Sequence, residues 1–278
     1  MPGAVEVRLA HEEDLAGIAS VAAATGQDAE GLGGDPAYVR HVMATGRFAV
    51  AMSVGRCVGF GGVVQIGGAT MLTDLFVEPQ AQARGVGSRL LDLLWADTSS
   101  RLTFASQRPP AVALYARRGL VARWPLLYLR GDVSDLLDPG LVTEPLDPGE
   151  AAQAECDWSG VDRAPAYRYW ASRPDGCALV VRDGSEVVAA GAVGGAGEEF
   201  GLNHLAASSA EVSEAATRSA LRFAGAGGPR ALVCLPGPHP ALSRLLAAGF
   251  QIIDHDLHMS TDDVVLDPRT LVAHPGLV

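Results

Sequence analysis

The 278-residue chain is short of several things, and each shortage excludes a class of function. Its four cysteines, Cys57, Cys156, Cys177 and Cys234, lie far apart with no CxxC pair. That spacing builds neither a zinc framework nor a disulfide scaffold. No apolar run reaches about 18 residues, so no membrane span is expected. The first ten residues lack a basic start and a long apolar core, so no signal peptide is expected and a cytoplasmic location is the default. Positive charge is scarce, with 21 Lys+Arg against 32 Asp+Glu and a formal net charge of −11. Such a chain repels phosphate backbones, which argues against a nucleic-acid partner. There is no Gly-Lys-Ser/Thr triplet, hence no P-loop, and no third glycine to complete a dinucleotide fingerprint after Gly85 and Gly87, because Leu90 stands there.

What is present is ordinary globular material, 48% hydrophobic and 19% charged, enough for one large domain or two modest ones. Periodicity predicts a strand over 5–9, helices over 14–24 and 36–45, and a hairpin over 47–66 turning at Gly55-Arg56. A strand over 70–77 follows, then helix 85–96, strand 102–105, helix 111–118 and strand 126–130. Residues 132–148 read mostly as a connection, and then the order repeats. Leu75 and Leu205 are 130 positions apart, and so are Leu91 and Leu221, Ala111 and Ala241, Gly119 and Gly249. A constant offset through two strands and two helices needs no gap and points to duplication of one α/β unit. The expected organisation is two related domains, 1–132 and 149–262, joined by a linker at 133–148 and followed by a C-terminal tail at 263–278.

The sharpest local feature is Gln82-Ala83-Arg84-Gly85-Val86-Gly87, between a strand and an amphipathic helix. The first turn of a helix carries backbone N–H groups with no partner inside the helix, and with the helix dipole these form an anion site. Glycine there lets a ligand approach the backbone. A tight turn with no ligand is the plainer reading of a Gly-x-Gly pair alone.

The stretch LTDLFVEPQAQARGVGSRLLDLLW resembles the GNAT N-acetyltransferase superfamily, whose acetyl-CoA signature is Gln/Arg-x-x-Gly-x-Gly/Ala at a strand-to-helix turn. Leu-x-Val-x-Pro at Leu75 to Pro79 is similar to the family's preceding strand, and ALYARRGL to its second block, with Tyr115 and Gly119. The resemblance covers about the first 130 residues. It implies an α/β fold of two tandem GNAT-like domains, each a mixed, mostly antiparallel sheet flanked by helices, the first intact and the second degenerate. It implies acetyl-CoA as acyl donor, with the pyrophosphate on the amides of Arg84 to Ser88 and the pantetheine arm along Leu75, Phe76 and Val77. It places Gln82, Arg84, Gly85, Val86, Gly87 and Ser88 in the cofactor-binding set, with the acetyl oxygen near the amide of Phe76 or Val77. The family's usual Asn before the Tyr helix is replaced by Arg108 here.

Acyl transfer to an amine needs an unprotonated amine, stabilisation of an oxyanion and a proton for the leaving thiolate. Tyr115 suits the last, because its reference pKa of about 10 lies close to that of a thiol. A packing tyrosine is the alternative. Asp74, beside the acetyl position, is the candidate base or else a structural acid. Asp28, Glu30 and Asp35 are alternatives for holding a cationic acceptor. Cys57 reads as packing rather than as a nucleophile. Asp254, Asp256 and His258 share one strand face but read as a polar, solvent-facing strand, so no metal is expected. In the second half the offset puts Glu214, Ala215, Ala216 and Thr217 at the signature, Leu245 at Tyr115 and His204 at Asp74, which predicts a half without CoA chemistry.

The expected function is N-acetyl transfer from acetyl-CoA to the primary amine of a small molecule by direct attack, without metal, nucleic acid or membrane, in a monomer or homodimer. The alternative is a non-catalytic acyl-CoA-binding or partner-recognition module. A third possibility is transfer to another acceptor group, such as a hydroxyl.

Overall fold

The computed structural model describes residues 5–26, 35–196, 199–225, 230–262 and 266–277. Asp28 and Glu30 fall outside them. Among the described residues are thirteen strands and eight α-helices, in two compact units. The first unit comprises Met1–Phe104, Ala113–Leu120 and Ser260–Asp262; the second comprises Ala105–Val112, Val121–Met259 and Asp263–Val278.

In the first unit, β1 (Val5–Leu9), β2 (Gly46–Ser53), β3 (Arg56–Ile66), β4 (Ala69–Val77) and β5 (Arg101–Ser106) lie side by side in that order. All neighbours are antiparallel except β4 and β5. Val54 and Gly55 turn the β2–β3 hairpin with φ of 49° and 72°, two left-handed residues in succession, the conformation that matches the twist of the flanking strands. Helices α1 (Leu15–Ala24), α2 (Pro36–Thr45) and α3 (Val86–Leu94) pack on this sheet. Asp35 starts α2 by accepting the Ala37 N–H at 2.9 Å, with Pro36 at the first helical position. The apolar spacing of α3 buries Val86, Leu90, Leu91 and Leu94, each worth about 2 kcal/mol of transfer free energy. Helix α4 (Pro109–Ala116) carries Tyr115.

In the second unit, β6 (Val121–Asp132) pairs antiparallel with β11 (Arg230–Pro236), from Leu126↔Pro236 to Asp132↔Arg230. The sheet runs β12 (Gln251–Ser260), β6, β11, β10 (Glu199–Ala207), β9 (Glu186–Ala196), β8 (Cys177–Asp183), β7 (Val142–Pro145). Helices α5 (Pro148–Ser159), α6 (Ala164–Ala171), α7 (Ala210–Ala224) and α8 (Leu242–Ala247) complete it. Two stretches that read as connections contain strands: β7 edges the sheet beside β8, and β13 (Leu271–Val272) pairs with β10.

Residues 254–258 also differ from expectation. Asp254 is exposed, but Asp256 accepts a hydrogen bond from the Tyr128 hydroxyl at 2.6 Å, and His258 is buried with its ring stacked 4.2 Å from Trp124. Asp256 and His258 lie beside Tyr128 and Trp124 of the neighbouring strand β6, so these two are packed while Asp254 is solvated as expected. Among the described residues no group of three His, Cys, Asp or Glu is placed to hold a metal ion.

Burial gives the second unit a defined acid sensitivity. His258 is pushed down to about 4 by burial and by the Arg123 charge. His239, whose Nδ1 accepts the Ala241 N–H at 3.2 Å, is also pushed down to about 4 by burial. Both are neutral in the fold and take up a proton near pH 6.5 when unfolded. The unfolded chain therefore binds more protons between pH 6.5 and 4, and stability falls as pH drops through that window. Urea unfolding at a series of pH values should show a loss of about 1 kcal/mol per pH unit for each histidine at the steepest part. The His239→Gln variant should show a shallower slope.

Candidate functional site

The site begins with an irregularity in β4. Gly62 faces Asp74 and Val63 faces Leu72, so Thr73 is the extra residue of a β-bulge. On the other side, the parallel pairing with β5 runs from Thr70↔Arg101 to Leu72↔Thr103 and ends there. Among the described residues, β4 beyond the bulge is bonded to β3 alone, and its far edge, at Leu75 to Val77, has no strand partner.

The direction of the main-chain groups follows from the ladder. The Glu78 N–H donates to the Val58 carbonyl at 3.0 Å, and the Phe76 carbonyl lies over Gly59. Polar groups alternate along an antiparallel strand, so those of Phe76 face β3 while those of Leu75 and Val77 face the open edge. The Val77 carbonyl is reached by the Gln82 side-chain amide at 2.9 Å, which holds the signature loop against the end of the strand.

The loop from Glu78 to Gly85 is shaped by backbone handedness. Glu78 is buried and ion-paired with Arg56. A single 3-10 turn spans Pro79–Ala81. Ala83 and Gly85 both have positive φ, 59° and 76°. Such left-handed positions next to a helix start turn successive amides toward one concave side, an arrangement that receives anions. Gly85 is the residue preceding α3, and no atom lies within 4 Å of where its Cβ would be, so ligand access there is unobstructed. The first helical bond is Arg89 N–H to the Gly85 carbonyl at 3.1 Å, and helix geometry leaves the amides of Val86, Gly87 and Ser88 without a carbonyl inside α3. A Cβ on Gly87 would stand 3.6 Å from Leu114, 3.8 Å from Leu75 and 4.0 Å from Val77. The second glycine therefore brings the helix start against the open strand and against α4.

Gln82, Arg84 and Gly85 are exposed, Ser88 is half-buried, and Val86 spends its side chain on the core. Arg118 is engaged with α3, donating to the Ser88 carbonyl at 2.9 Å and to Asp92 at 2.8 Å. Tyr115 is buried, with its ring edge-on to Trp95 at 6.2 Å and 65°. Asp74 is buried directly after the bulge, and its Oδ2 accepts from the Tyr38 hydroxyl at 2.6 Å and the Thr73 hydroxyl at 2.8 Å. Burial raises the Asp74 carboxyl above its ordinary value, against the two hydrogen bonds, which pull it down. Asp35 uses one oxygen to cap α2. Cys57 is buried, with its thiol pushed up by burial, unsuited to nucleophilic work.

Tyr38 and Thr73 escaped the sequence reading. The signal for Tyr38 was available as a short repeat: Pro36-Ala37-Tyr38 recurs as Pro165-Ala166-Tyr167. In the second half the bulge also recurs, because the β9–β10 register shifts between Leu202 and His204. His204 thus follows Asn203 as Asp74 follows Thr73. The Tyr167 hydroxyl donates to Glu155 Oε2 at 2.8 Å, and His204 Nε2 lies 2.7 Å from the same oxygen. Arg163 holds the other oxygen at 2.5 Å. Burial alone would raise Glu155, but His204 and Arg163 outweigh it and bring the carboxyl down to about 2.

The signature loop has no counterpart there. The residues 130 positions after Pro79 to Gly85 run from 209 to 215, and α7 already begins at Ala210. Glu214 was expected at the helix start, but it lies one turn inside α7, ion-paired with Arg218 at 2.6 Å. Ala and Thr in place of the glycines let the helix extend back to within two residues of β10, and the loop is consumed.

The acetyltransferase (GNAT) domain family model matches residues 44–120, the span from the end of α2 through the loop to Leu120. A search of curated proteins finds no match. Among solved structures, the chain is similar to a proposed acetyltransferase from Pyrococcus horikoshii, with a TM-score of 0.74 at 15% identity, over 99% of this chain and 96% of the other. It is similar to a tandem GNAT protein from the clavulanic acid biosynthesis pathway, with a TM-score of 0.64 at 14% identity, over 95% of this chain and 100% of the other. A GCN5-related N-acetyltransferase from Sphaerobacter thermophilus gives a TM-score of 0.62 at 13% identity, over 95% and 98%. Identities this low establish a shared fold.

Proposed function

We propose that the first half, whose residues 44–120 match the acetyltransferase (GNAT) domain model in a chain that shares its fold with a tandem GNAT protein, transfers an acetyl group from acetyl-CoA to the primary amine of a small molecule. One observation carries this reading: the open edge of β4 beyond its bulge, at Leu75 and Val77, meets the glycine-lined start of α3. That is a strand-shaped slot for a pantetheine arm, ending at amides that receive a pyrophosphate.

The residues divide the work as follows. The amides of Leu75 and Val77 bond the extended arm, and a carbonyl oxygen beside Leu75 is polarised by its N–H. The amides of Gly85 to Ser88 hold the diphosphate. Asp74, raised by burial, accepts a proton from the incoming ammonium, which frees the nitrogen lone pair. The C–N bond forms as the C–S bond breaks, Tyr115 gives its hydroxyl proton to the departing sulfur, and the second proton that the nitrogen sheds on becoming an amide leaves to solvent while solvent reprotonates the Tyr115 phenolate. Tyr38 and Thr73 hold Asp74 in place.

The chain contains no lysine, since all 21 of its basic residues are arginine. Acetylated side-chain amines therefore do not build up on the protein itself, and CoA release in an assay reports the added acceptor. A panel of small amines, with CoA release followed against time, tests the proposal. Turnover with one class of amine supports it. Tight acetyl-CoA binding without turnover on any amine, alcohol or peptide would overturn it in favour of a binding module. No helix among the described residues is long and apolar enough to cross a membrane.

A further inference from the structure

The second half has the same interruption in its sheet as the first. The parallel pairing of β10 with β11 runs from Glu199↔Arg230 to Leu202↔Val233 and stops at the bulge. Beyond it, the edge of β10 that corresponds to Leu75–Val77 is Leu205–Ala207. Here the edge is occupied. Leu205 pairs with Val272 and Ala206 with Leu271, antiparallel, and the Ala207 N–H donates to the Thr270 carbonyl at 2.8 Å. On the opposite side, the Ala273 N–H reaches the Cys234 carbonyl of β11 at 3.3 Å. The inserted side chains are not surface decoration: Leu271, Val272, Ala273 and Leu277 are all buried. His274 stands against the Trp170 ring at 4.9 Å.

We propose that the groove between β10 and β11 is a binding site for an extended peptide, and that its occupant is this chain's own segment Thr270–Ala273. The segment supplies to β10 the main-chain bonds that a pantetheine arm would supply to β4. That comparison rests on the donor reading of the first half, whereas the peptide site itself does not. Two features fix the choice of occupant. The groove accepts backbone N–H and C=O groups in strand register, flanked by apolar side chains, which is how an added β-strand is recognised. The anion-receiving loop that a CoA molecule would need has been absorbed into α7. On the donor reading, the described residues then hold one donor site rather than two, and Thr270–Ala273 acts as a built-in ligand.

The test uses the full chain in two forms. In the wild type, hydrogen exchange should protect the amides of Leu205, Ala207 and Val272 together, because a single event, withdrawal of the tail, exposes them all. Exchange of Val272 and Ala273 at the rate of an unstructured peptide, with β10 still protected, would overturn the proposal. In a second form, Leu271→Asp and Val272→Asp are introduced together to expel the segment. A synthetic peptide of residues 266–278 with the native sequence should then bind one per chain and raise the melting temperature by several degrees, while a peptide carrying both aspartates should not. Acetyl-CoA stoichiometry should be the same in the variant as in the wild type. Failure of the native peptide to bind a folded variant, or uptake of one extra acetyl-CoA, would overturn the assignment of the groove to peptide. If the wild type binds no acetyl-CoA at all, only the donor reading fails, since the exchange and peptide results stand apart from it.

Discussion

Replacing Gly85 and Gly87 together by glutamate should weaken acetyl-CoA binding at least ~100-fold, about 2.8 kcal/mol, in a calorimetric titration where the wild type is expected to take up close to one molecule per chain. Each glycine contributes by a different route. Gly85 has φ of 76°, a conformation that costs an ordinary residue on the order of 1 kcal/mol, and the space beside it is empty. A glutamate there sets a carboxylate over the amides proposed to hold the diphosphate and competes for them. At Gly87 a single methyl group would meet its neighbours at 3.6 to 4.0 Å, which is ordinary contact. Gly87→Ala should therefore be mild. The longer, charged glutamate has to pass between α3 and the Leu75, Val77 and Leu114 side chains, where the arm enters. Equal thermal unfolding of variant and wild type separates lost binding from lost fold. A variant that still binds as tightly as the wild type would remove the cofactor from this loop.

The second large effect concerns the proton path. Asp74→Asn and Tyr115→Phe should each lower kcat by about 10²- to 10⁴-fold under conditions where chemistry limits the rate, with little change in the KM for acetyl-CoA. Phe at 115 keeps the edge-on contact with Trp95 and removes only the hydroxyl, so the fold is a weak explanation for any loss. The pH profile carries the sharper information. Asp74 acts as a base only when ionised, and burial raises its carboxyl. Wild-type kcat should rise with pH through a midpoint above the ordinary carboxylate value of about 4. Tyr38→Phe removes a hydrogen bond that favours the ionised form, and should move this midpoint further up. A midpoint that does not move would make Tyr38 a packing residue only. The same raised value means that the carboxyl takes a proton more readily in the fold than in the unfolded chain. Asp74 thus opposes stability as pH rises through its folded midpoint.

Much of this was legible in the residues because it rests on local chemistry. Strong period-3.6 spacing gave α3, and Asp35-Pro36 marked the start of α2, which begins where expected. The Gly-x-Gly turn could be read because left-handed backbone beside a helix start leaves few other residue choices. The less legible features depend on partners distant in sequence. The bulge at Thr73 is a count of residues on two strands, and no property of a threonine announces it. Tyr38 reaches Asp74 across 36 positions, through packing of α2 on the sheet. Val142–Pro145 and Leu271–Val272 are too short for periodicity to register, and they become strands because an edge is waiting for them. The start of α7 was placed a turn too late, at Glu214, because the offset of 130 holds for the helix body but not for its start, which lies earlier in the second half, where the glycines are missing.

The pairing of β6 with β11 has a consequence for how the chain is made. Leu126 lies opposite Pro236, so one partner leaves the ribosome about 110 residues before the other. At roughly 5–20 residues per second, β6 waits on the order of ten seconds with its edge unbonded. Thr261, which exchanges main-chain and side-chain hydrogen bonds with Arg101, keeps the first unit waiting longer still. Strand β13 emerges about 65 residues after the β10 residues it pairs with, and the apolar groove it closes stays exposed until then. Slow synthesis, or termination before β13, should thus yield chains with open strand edges. Those nascent chains, rather than the folded protein, carry the unpaired edges that favour aggregation.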